Sequence, residues 1–338
     1  MSKKICLMTL YNANNIGAYL QTYSTVKILK KLGYETYLVK FDSNSNSKRS
    51  LFKYIKQFGL RKMMYKYKSK SKYLECQKEF KEIRLEETNI DDTFILGSDE
   101  CWNLLSTSFV HHKEYFGVGL ENRKLISFAS SANTCPIEVF KTQSYIIDFS
   151  QFKSLCVRDN NTKKIVESLS NRTALKIFDP TLIYEGLGNE LRKVCTLRDF
   201  ILVYSYGMTK EQIQSIKKFA KYKKKRIISV GTYNSWCNKN IICDPLEFLD
   251  YLKCSDYVIT STFHGAALSI ALKKDFFVFC NKNDKIIDMI NSFDISFRSD
   301  IISSDLIDCF SKKINYVDIY KKIDDNRRIA EDYLKDNL

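Results

Sequence analysis

The sequence has few of the residues that mark metal or redox sites. Only three of its 338 residues are histidine, and the eleven cysteines form no Cys-x-x-Cys pair. His111 and His112 are adjacent, and sequence neighbours do not naturally converge on one ion. Cysteine and histidine at ligand spacing are what a zinc site needs, so we predict no metal site. With no nucleotide-binding motif either, we expect no cofactor. Because most cysteines lie in strand-like apolar runs, we expect reduced, buried thiols.

Long apolar runs and nucleotide-binding motifs are also missing. The first residues, MSKKICLMTLY, contain no stretch long enough for a signal peptide or a membrane-spanning helix, and no later run is long enough either. We therefore expect a cytoplasmic protein. Neither a GxGxxG fingerprint nor a P-loop occurs, so no motif indicates a dinucleotide or a nucleoside triphosphate.

Apolar runs typical of strands alternate with helical patterns along the chain. KKICLMTLY leads through NANNIG into a helix that ends at Gly33, and ETYLVKF is the next strand. Asp179-Pro180 and the following EGLGNE form a turn-rich connection, after which the alternation starts again. Short runs buried on both faces are typical of parallel sheets. We predict an α/β protein with two Rossmann-like domains facing a cleft, 1–184 and 195–338, the second ending in an amphipathic helix.

The net charge of +15 is concentrated in a basic segment, residues 48–84, where tyrosines lie among many lysines and few acidic residues. One interpretation is a solvated helical excursion from the first domain. The other is a surface for an anionic partner, either a phosphate-bearing substrate or acidic membrane headgroups. Nucleic acid is not expected, since no recognition motif accompanies the charge.

Polar loops follow the predicted strands, and ligands of parallel sheets bind at the carboxyl ends of strands. These loops are NANNIG, GSDECWN, ASSAN, RDNNT and TSTFHG. In the last one, His264 follows a strand, opens a helix and precedes the small residue Gly265. It is either bonded to its own backbone turn or serves as a general acid, a base or an anion ligand.

Two cations stand at similar positions. Arg158 directly follows the SLCV strand, so it either pairs with Asp159 or points into the cleft, where a guanidinium suits a carboxylate or phosphate. Lys285 begins a helix, where a cation opposes the helix dipole. It is either a surface lysine or a functional one.

The first two polar loops offer further candidates. Asn14, Asn15 and Gly17 form either a turn with a helix cap or a backbone nest for an anion or sugar. GSDECWN places Ser98 and Asp99 close to a tryptophan. A carboxylate near an indole is a common sugar-binding arrangement, and the alternative is a core position for the indole.

Six motifs, in this order, resemble the polysaccharide pyruvyl transferase family. NNIGAYLQTYS is similar to its N-x-G-A-x-L-Q turn, GSDECWN to its G-S-D-Q-x-W-N, ISFASS to the next block, CVRD to S-V-R-[DE], DPTLIY to D-P-T and TSTFHG to T-D-S-F-H-G. The basic segment lies outside the resemblance. This chain departs from the pattern at Glu100, where Gln is usual, at Ser261, where the family has an acidic residue, and at Lys274-Asp275, where Lys-Pro is common.

The resemblance implies a fold like that of GT-B glycosyltransferases. It also implies transfer of pyruvate from phosphoenolpyruvate to two hydroxyls of a sugar, giving a cyclic ketal in a cell-surface polysaccharide or its lipid-linked precursor. His264 would be the acid/base or the phosphate contact, and Arg158 would hold carboxylate or phosphate. Lys285 best matches the family's downstream basic residue, with Lys282 as competitor. The remaining expected substrate contacts are Asn14, Asn15, Gly17, Ser98, Asp99, Ser261, Thr262 and Gly265.

Two other functions stay open at this point. A glycosyltransferase using a nucleotide sugar would share the fold, because fold does not fix function. A non-catalytic member of a glycan-assembly complex would use the basic segment as a docking surface. A lipid-linked acceptor would place the protein peripherally at the inner, anionic face of the membrane.

Overall fold

The structure is a computed structural model that describes residues 4–41, 59–106, 112–142, 148–281, 283–301 and 305–338. His111, Lys282 and the first part of the basic segment, residues 48–58, lie outside these ranges. The strands are β1 (Lys4–Met8), β2 (Glu35–Lys40), β3 (Glu82–Arg84), β4 (Thr93–Leu96), β5 (Lys124–Ser127), β6 (Cys156–Val157), β7 (Leu175–Lys176), β8 (Phe200–Tyr204), β9 (Arg226–Val230), β10 (Lys239–Ile241), β11 (Tyr257–Thr260) and β12 (Phe276–Val278).

The α-helices of the described residues alternate with these strands. They are α1 (Ile16–Lys31), α2 (Leu60–Gln77), α3 (Ile137–Thr142), α4 (Asn160–Ser170), α5 (Pro180–Ile183), α6 (Lys210–Lys223), α7 (Pro245–Cys254), α8 (Phe263–Ala271), α9 (Asp284–Ser292), α10 (Leu306–Ser311) and α11 (Tyr316–Asn337). Helix α7 begins with a side-chain cap, because the Asp244 carboxylate accepts from two backbone amides of its first turn.

Two five-stranded parallel sheets form the framework. The first has the order β3-β2-β1-β4-β5 and the second the order β10-β9-β8-β11-β12, and β6 pairs with β7 apart from both. In the first sheet Leu7 of β1 pairs with Leu38 and Ile95 on its two sides. Each sheet has the strand order of a Rossmann-like unit, with its topological switch beside the central strand. The predicted α/β class with two such units is confirmed, whereas the boundaries at 184 and 195 stay a prediction.

The two halves share one continuous apolar core. Its buried residues come from both sheets, and α1 of the first half packs against α7 and α5. The contact between α1 and the second half requires a glycine at position 231, since a Cβ on Gly231 would lie 2.1 Å from Cδ1 of Ile16. The terminal helix α11 returns to the first sheet, where the Tyr333 hydroxyl donates to the Ser127 carbonyl at 2.9 Å. The two sheets are thus held in a fixed relation across the cleft.

The described part of the basic segment is more than a solvated excursion. Its helix α2 buries Tyr65 and Tyr73, and the Tyr65 hydroxyl donates to the Ile241 carbonyl at 2.7 Å, across the cleft. Lys72 of the same helix pairs with Glu247 of α7. The segment then supplies β3, the edge strand of the first sheet. The tyrosines therefore pack the helix onto both halves.

The cysteines and the helices can be compared with what the sequence predicted. All eleven cysteines are free thiols, and every one except Cys254 is buried. Within the described ranges, none of the helices combines the length and the apolar character needed to cross a bilayer.

Candidate active site

A cavity of about 670 Å³ lies between the carboxyl ends of the two sheets. On one wall are the loops after β1 and β4, which contribute Asn12, Asp99 and Glu100. On the other are the loops after β8 and β11, which contribute Tyr206 and the start of α8. The cavity thus occupies the switch point of both sheets, as expected for a ligand site in this architecture.

Three helices begin at the cavity wall. Asn15 caps α1, where its side-chain oxygen accepts from the Gly17 amide at 2.8 Å. Thr262 caps α8 by accepting from the Gly265 amide at 2.9 Å, and Asn283 precedes α9. All three N-cap residues line the cavity. Helix N-termini favour anions, so their partial positive charges converge on one space.

His264 lies in the first turn of α8 and joins the two halves. Its ring packs so closely on α1 that a Cβ on Gly17 would lie 2.1 Å from Nδ1. Gly17 is therefore needed for contact with the histidine. The side chain is 10% exposed and lines the cavity, while Nε2 is buried 3.6 Å from an Asp179 oxygen. Among the described residues, Nε2 has no hydrogen-bond partner.

Asp179 is the buried carboxylate behind this histidine. Its Oδ1 caps α5 by accepting from the Thr181 amide at 2.9 Å, and its Oδ2 accepts from Arg158 Nη1 at 2.6 Å. Burial raises the pKa of the Asp179 carboxyl, but His264 and Arg158 outweigh it and hold that pKa well below its usual value. Asp179 is therefore an anion shared by a guanidinium and an imidazole.

Arg158 is placed differently from its prediction as a substrate contact. It is buried behind Phe263, whose ring centroid is 4.7 Å from Cζ, and it does not line the main cavity. Its two terminal nitrogens face Asp179 and Asp99, the latter at 3.4 Å. Among the described residues Arg158 forms no ion pair with Asp159, the predicted alternative, because the Asp159 carboxylate instead caps α4. Arg158 thus holds protein carboxylates in place.

Lys285 is a buried cation of the cavity wall, so its interpretation as a surface lysine is wrong. The side chain is 9% exposed and forms an ion pair with Glu100 from the other half. Burial raises the pKa of Glu100, but Lys285 lowers it to about 2. Lys285 Nζ also lies 5.4 Å from the Phe263 ring centroid. Phe263 therefore stands between two cations, Arg158 and Lys285.

Some predicted contacts line the cavity and others do not. Asn15, Asp99, Ser261 and Thr262 lie on its wall. The Ser261 hydroxyl is 2.7 Å from that of Ser205.

Four predicted contacts lie off the wall. Gly17 is one of them, because it packs against the His264 ring. Asn14 is exposed beside the cavity. Gly265 packs inward, where a Cβ would lie 2.1 Å from Thr260 Oγ1. The Ser98 hydroxyl is fully buried against Gln21 of α1, because the loop after β4 turns inward at this residue. Ser98 and Gly265 therefore shape the wall from behind.

Sequence reasoning missed several wall residues. Tyr11 and Tyr206 come from loops at the same sheet edge, and Lys70 reaches the cavity from α2. The strand-end rule points to both tyrosines, but no local pattern distinguishes them from core aromatics. For Trp102 the sequence allowed either a sugar contact or a core position. Trp102 is a core residue, and its indole N–H donates to the Tyr115 carbonyl at 2.7 Å.

Comparison with known families decides the assignment. A family model described as polysaccharide pyruvyl transferase matches residues 15–283. The chain belongs to the polysaccharide pyruvyl transferase family. The matched region runs from the Asn15 cap to the Asn283 cap, so it contains His264, Asp179 and Arg158, and Lys285 lies just beyond it. This pyruvyl transferase family member is therefore a transferase related to polysaccharide biosynthesis. A sequence search of curated proteins found no match.

Solved structures show which fold this family member has. UDP-GlcNAc 2-epimerases of Methanocaldococcus jannaschii and Neisseria meningitidis each align with a TM-score of 0.55, over 99% of this chain and 100% of theirs, at 11% and 10% identity. An alpha-glucosyltransferase in complex with UDP and a 13-mer DNA aligns with a TM-score of 0.50, over 100% of this chain and 96% of that chain, at 11% identity. The fold is of the GT-B type, as the motif resemblance implied.

Proposed function

We propose that the protein transfers pyruvate from phosphoenolpyruvate to two hydroxyls of a saccharide, forming a cyclic ketal. The observation that carries this proposal is the convergence of three helix N-termini, His264 and Lys285 on one cavity. Family membership supplies the reaction class.

Phosphoenolpyruvate brings a phosphate and a carboxylate, and the cavity offers a complement to each. The N-termini of α8 and α9 lie on the same wall as Lys285 and favour anions. The opposite wall carries acceptors and donors suited to sugar hydroxyls, among them Asn15 and Asp99. We place the donor against the second half and the acceptor against the first.

The reaction balances with groups that the cavity provides. A proton adds to the terminal methylene carbon of the donor, and a sugar hydroxyl attacks the adjacent carbon to form the first C–O bond. The C–O bond to phosphate then breaks, and phosphate leaves. The second hydroxyl attacks the same carbon and closes the ring. Of the two protons that the sugar hydroxyls lose, one restores the proton that the protein gave to the methylene carbon. The other leaves with phosphate or solvent.

His264 is the group that moves these protons in our proposal. An imidazole can both accept and donate a proton, and this ring reaches the cavity while its Nε2 faces the Asp179 carboxylate. A carboxylate behind an imidazole orients the ring and stabilises the positive charge that it gains with a proton. Arg158 keeps Asp179 in place, so it acts as a positioning residue.

The first test measures thermal stabilisation by phosphoenolpyruvate and, separately, phosphate release with saccharide acceptors. We expect a shift with wild type, a smaller shift with Lys285→Met, and loss of turnover with His264→Ala. Lys335→Met is the matched control, because it removes an exposed cation of α11 far from the cavity.

The competing functions give different results in the same assay. Stabilisation by a UDP-sugar alone would point to glycosyl transfer, the first alternative. No phosphate release with any acceptor, soluble or lipid-linked, would support a non-catalytic role in glycan assembly. Full turnover by His264→Ala would refute the proposed role of the histidine.

A further inference from the structure

The outer face of α2 is a second functional surface. We propose that it binds an anionic lipid bilayer and thereby seats the cavity at the membrane surface. The binding follows from the helix itself, whereas its use, access to a lipid-linked saccharide, rests on the proposed function.

An exposed apolar stripe runs along this helix. Leu60, Met64, Tyr67 and Leu74 are 56%, 49%, 78% and 52% exposed. Their spacing of three, four and seven residues places them on one side of a helix, opposite the buried Tyr65. We call these four residues the outer stripe. The other large exposed apolar side chains of the described residues are scattered. Only Val317 and Ile329 share a helix, α11, and they are twelve residues apart on different sides of it.

Cations flank the outer stripe along its length. By helical periodicity, Arg61 and Lys68 lie on one side of it and Lys66 and Lys70 on the other, and all four are exposed. Glu75 is the only acidic residue of α2. An apolar stripe between rows of basic residues is typical of helices that lie in the plane of a membrane interface.

The charge pattern selects lipid over an apolar protein partner. Long basic side chains can bury their methylenes at the interface while their charges reach anionic headgroups. Tyr67, the most exposed of the stripe, has a ring suited to the same depth. A hydrophobic groove on another protein would match the apolar residues of the outer stripe but offer no negative charge to the cations beside it.

The outer stripe is held in a fixed position beside the cavity. Lys70 lines the cavity, and it stands three residues from Tyr67, about 5 Å along the helix axis. Three contacts fix α2 to the body: Tyr65 to Ile241, Lys72 to Glu247, and the Gln77 amide to the Tyr11 carbonyl at 3.1 Å. A bilayer contacting the stripe therefore lies at the mouth of the site, where a sugar on a lipid carrier can enter.

The experiment is co-sedimentation of the full chain with vesicles of phosphatidylglycerol mixed with phosphatidylcholine, beside vesicles of phosphatidylcholine alone. Three variants are compared with wild type. The stripe variant is Met64→Ser/Tyr67→Ser/Leu74→Ser, and the charge variant is Arg61→Gln/Lys68→Gln. The matched control is Tyr222→Ser/Val317→Ser, which removes apolar side chains that are 60% and 79% exposed elsewhere.

We expect wild type and control to bind the anionic vesicles, and binding to weaken with added salt. The charge variant should lose roughly fivefold in partition coefficient per cation removed. The stripe variant should lose about tenfold or more, since its apolar groups no longer enter the interface. Light scattering checks that all four proteins have the same oligomeric state.

Three results would overturn the proposal: no binding of wild type to anionic vesicles, equal binding by wild type and the stripe variant, or a wild-type dimer that the stripe variant splits. The last would identify the stripe as an interface between two copies. Phosphate release with a soluble acceptor is measured separately. Turnover without vesicle binding refutes only the membrane surface, and vesicle binding without turnover refutes only the proposed reaction.

Discussion

Asp179→Asn should destabilise the protein strongly although it changes one atom. The amide keeps the capping oxygen toward Thr181 but removes the charge that Arg158 and His264 share. The Arg158 side chain is 2% exposed and would retain only Asp99, at 3.4 Å. Breaking a buried ion pair by removing one partner costs about 3–5 kcal/mol. We expect the unfolding midpoint to fall by roughly 5–10 °C.

The chain contains a matched control in a second Asp-Pro cap. Asp244 also precedes a proline, also caps its helix, and also accepts from an arginine, Arg192 Nη1 at 2.8 Å. Here the arginine side chain is 38% exposed, so water replaces the lost partner. Asp244→Asn should therefore cost no more than about 1 kcal/mol. The difference between the two variants isolates the contribution of burial.

The pH dependence provides a second check with a fixed sign. The pKa of Asp179 is lowered in the folded protein, so its stabilisation is complete above the ordinary value of 3.8 and declines as the pH falls below it. The stability gap between wild type and Asp179→Asn should stay constant down to about pH 4 and narrow below. Equal losses for Asp179→Asn and Asp244→Asn, or a gap that widens in acid, would refute the reasoning.

Two further predictions concern the cavity wall. Gly17→Ala should displace the His264 ring and so lower phosphate release, since the alanine Cβ would lie 2.1 Å from Nδ1 of the ring. Gly188→Ala is the control, because the nearest atom to its Cβ would be 3.9 Å away. Equal activity of the two alanine variants would contradict this contact. Lys285→Met should lower the unfolding midpoint, because the half-buried Glu100 carboxylate loses its cation, and adding Glu100→Gln should restore the midpoint. If Lys285 also holds the donor, the double variant regains stability without regaining stabilisation by phosphoenolpyruvate.

Most of the sheet framework was predictable from sequence, because apolar strands such as β4 and β8 are buried on both faces. The short strands β3 and β10 were not, since EIR and KNI carry no apolar pattern and become strands only by pairing with β2 and β9. The interleaved tyrosines of α2 were interpreted mainly through the charge around them. Their packing depends on a partner surface in the second half, which local sequence does not reveal.

The strand-end rule identified the edge where the site lies but not the direction of each side chain. Asp99 and Ser98 follow the same strand, yet Asp99 lines the cavity and Ser98 turns inward to α1. Arg158 was expected to contact substrate because nothing in its own loop reveals Asp179. The DPT motif was recognised as a resemblance, but its role emerges only when Asp179 and His264 meet in three dimensions.

The pairing of these charges also decides how a donor can be held. Arg158 is bound to two carboxylates and Lys285 to Glu100, so both buried cations are already neutralised before any ligand enters. Glu100 stays ionised near neutral pH, since Lys285 outweighs the effect of burial and lowers the pKa of its carboxyl. A polyanionic donor must therefore share Lys285 with Glu100 and draw its remaining stabilisation from the helix N-termini and His264. Helix N-termini attract an anion through partial charges rather than a full positive charge. A site that relies on them can therefore bind the donor and still let phosphate leave.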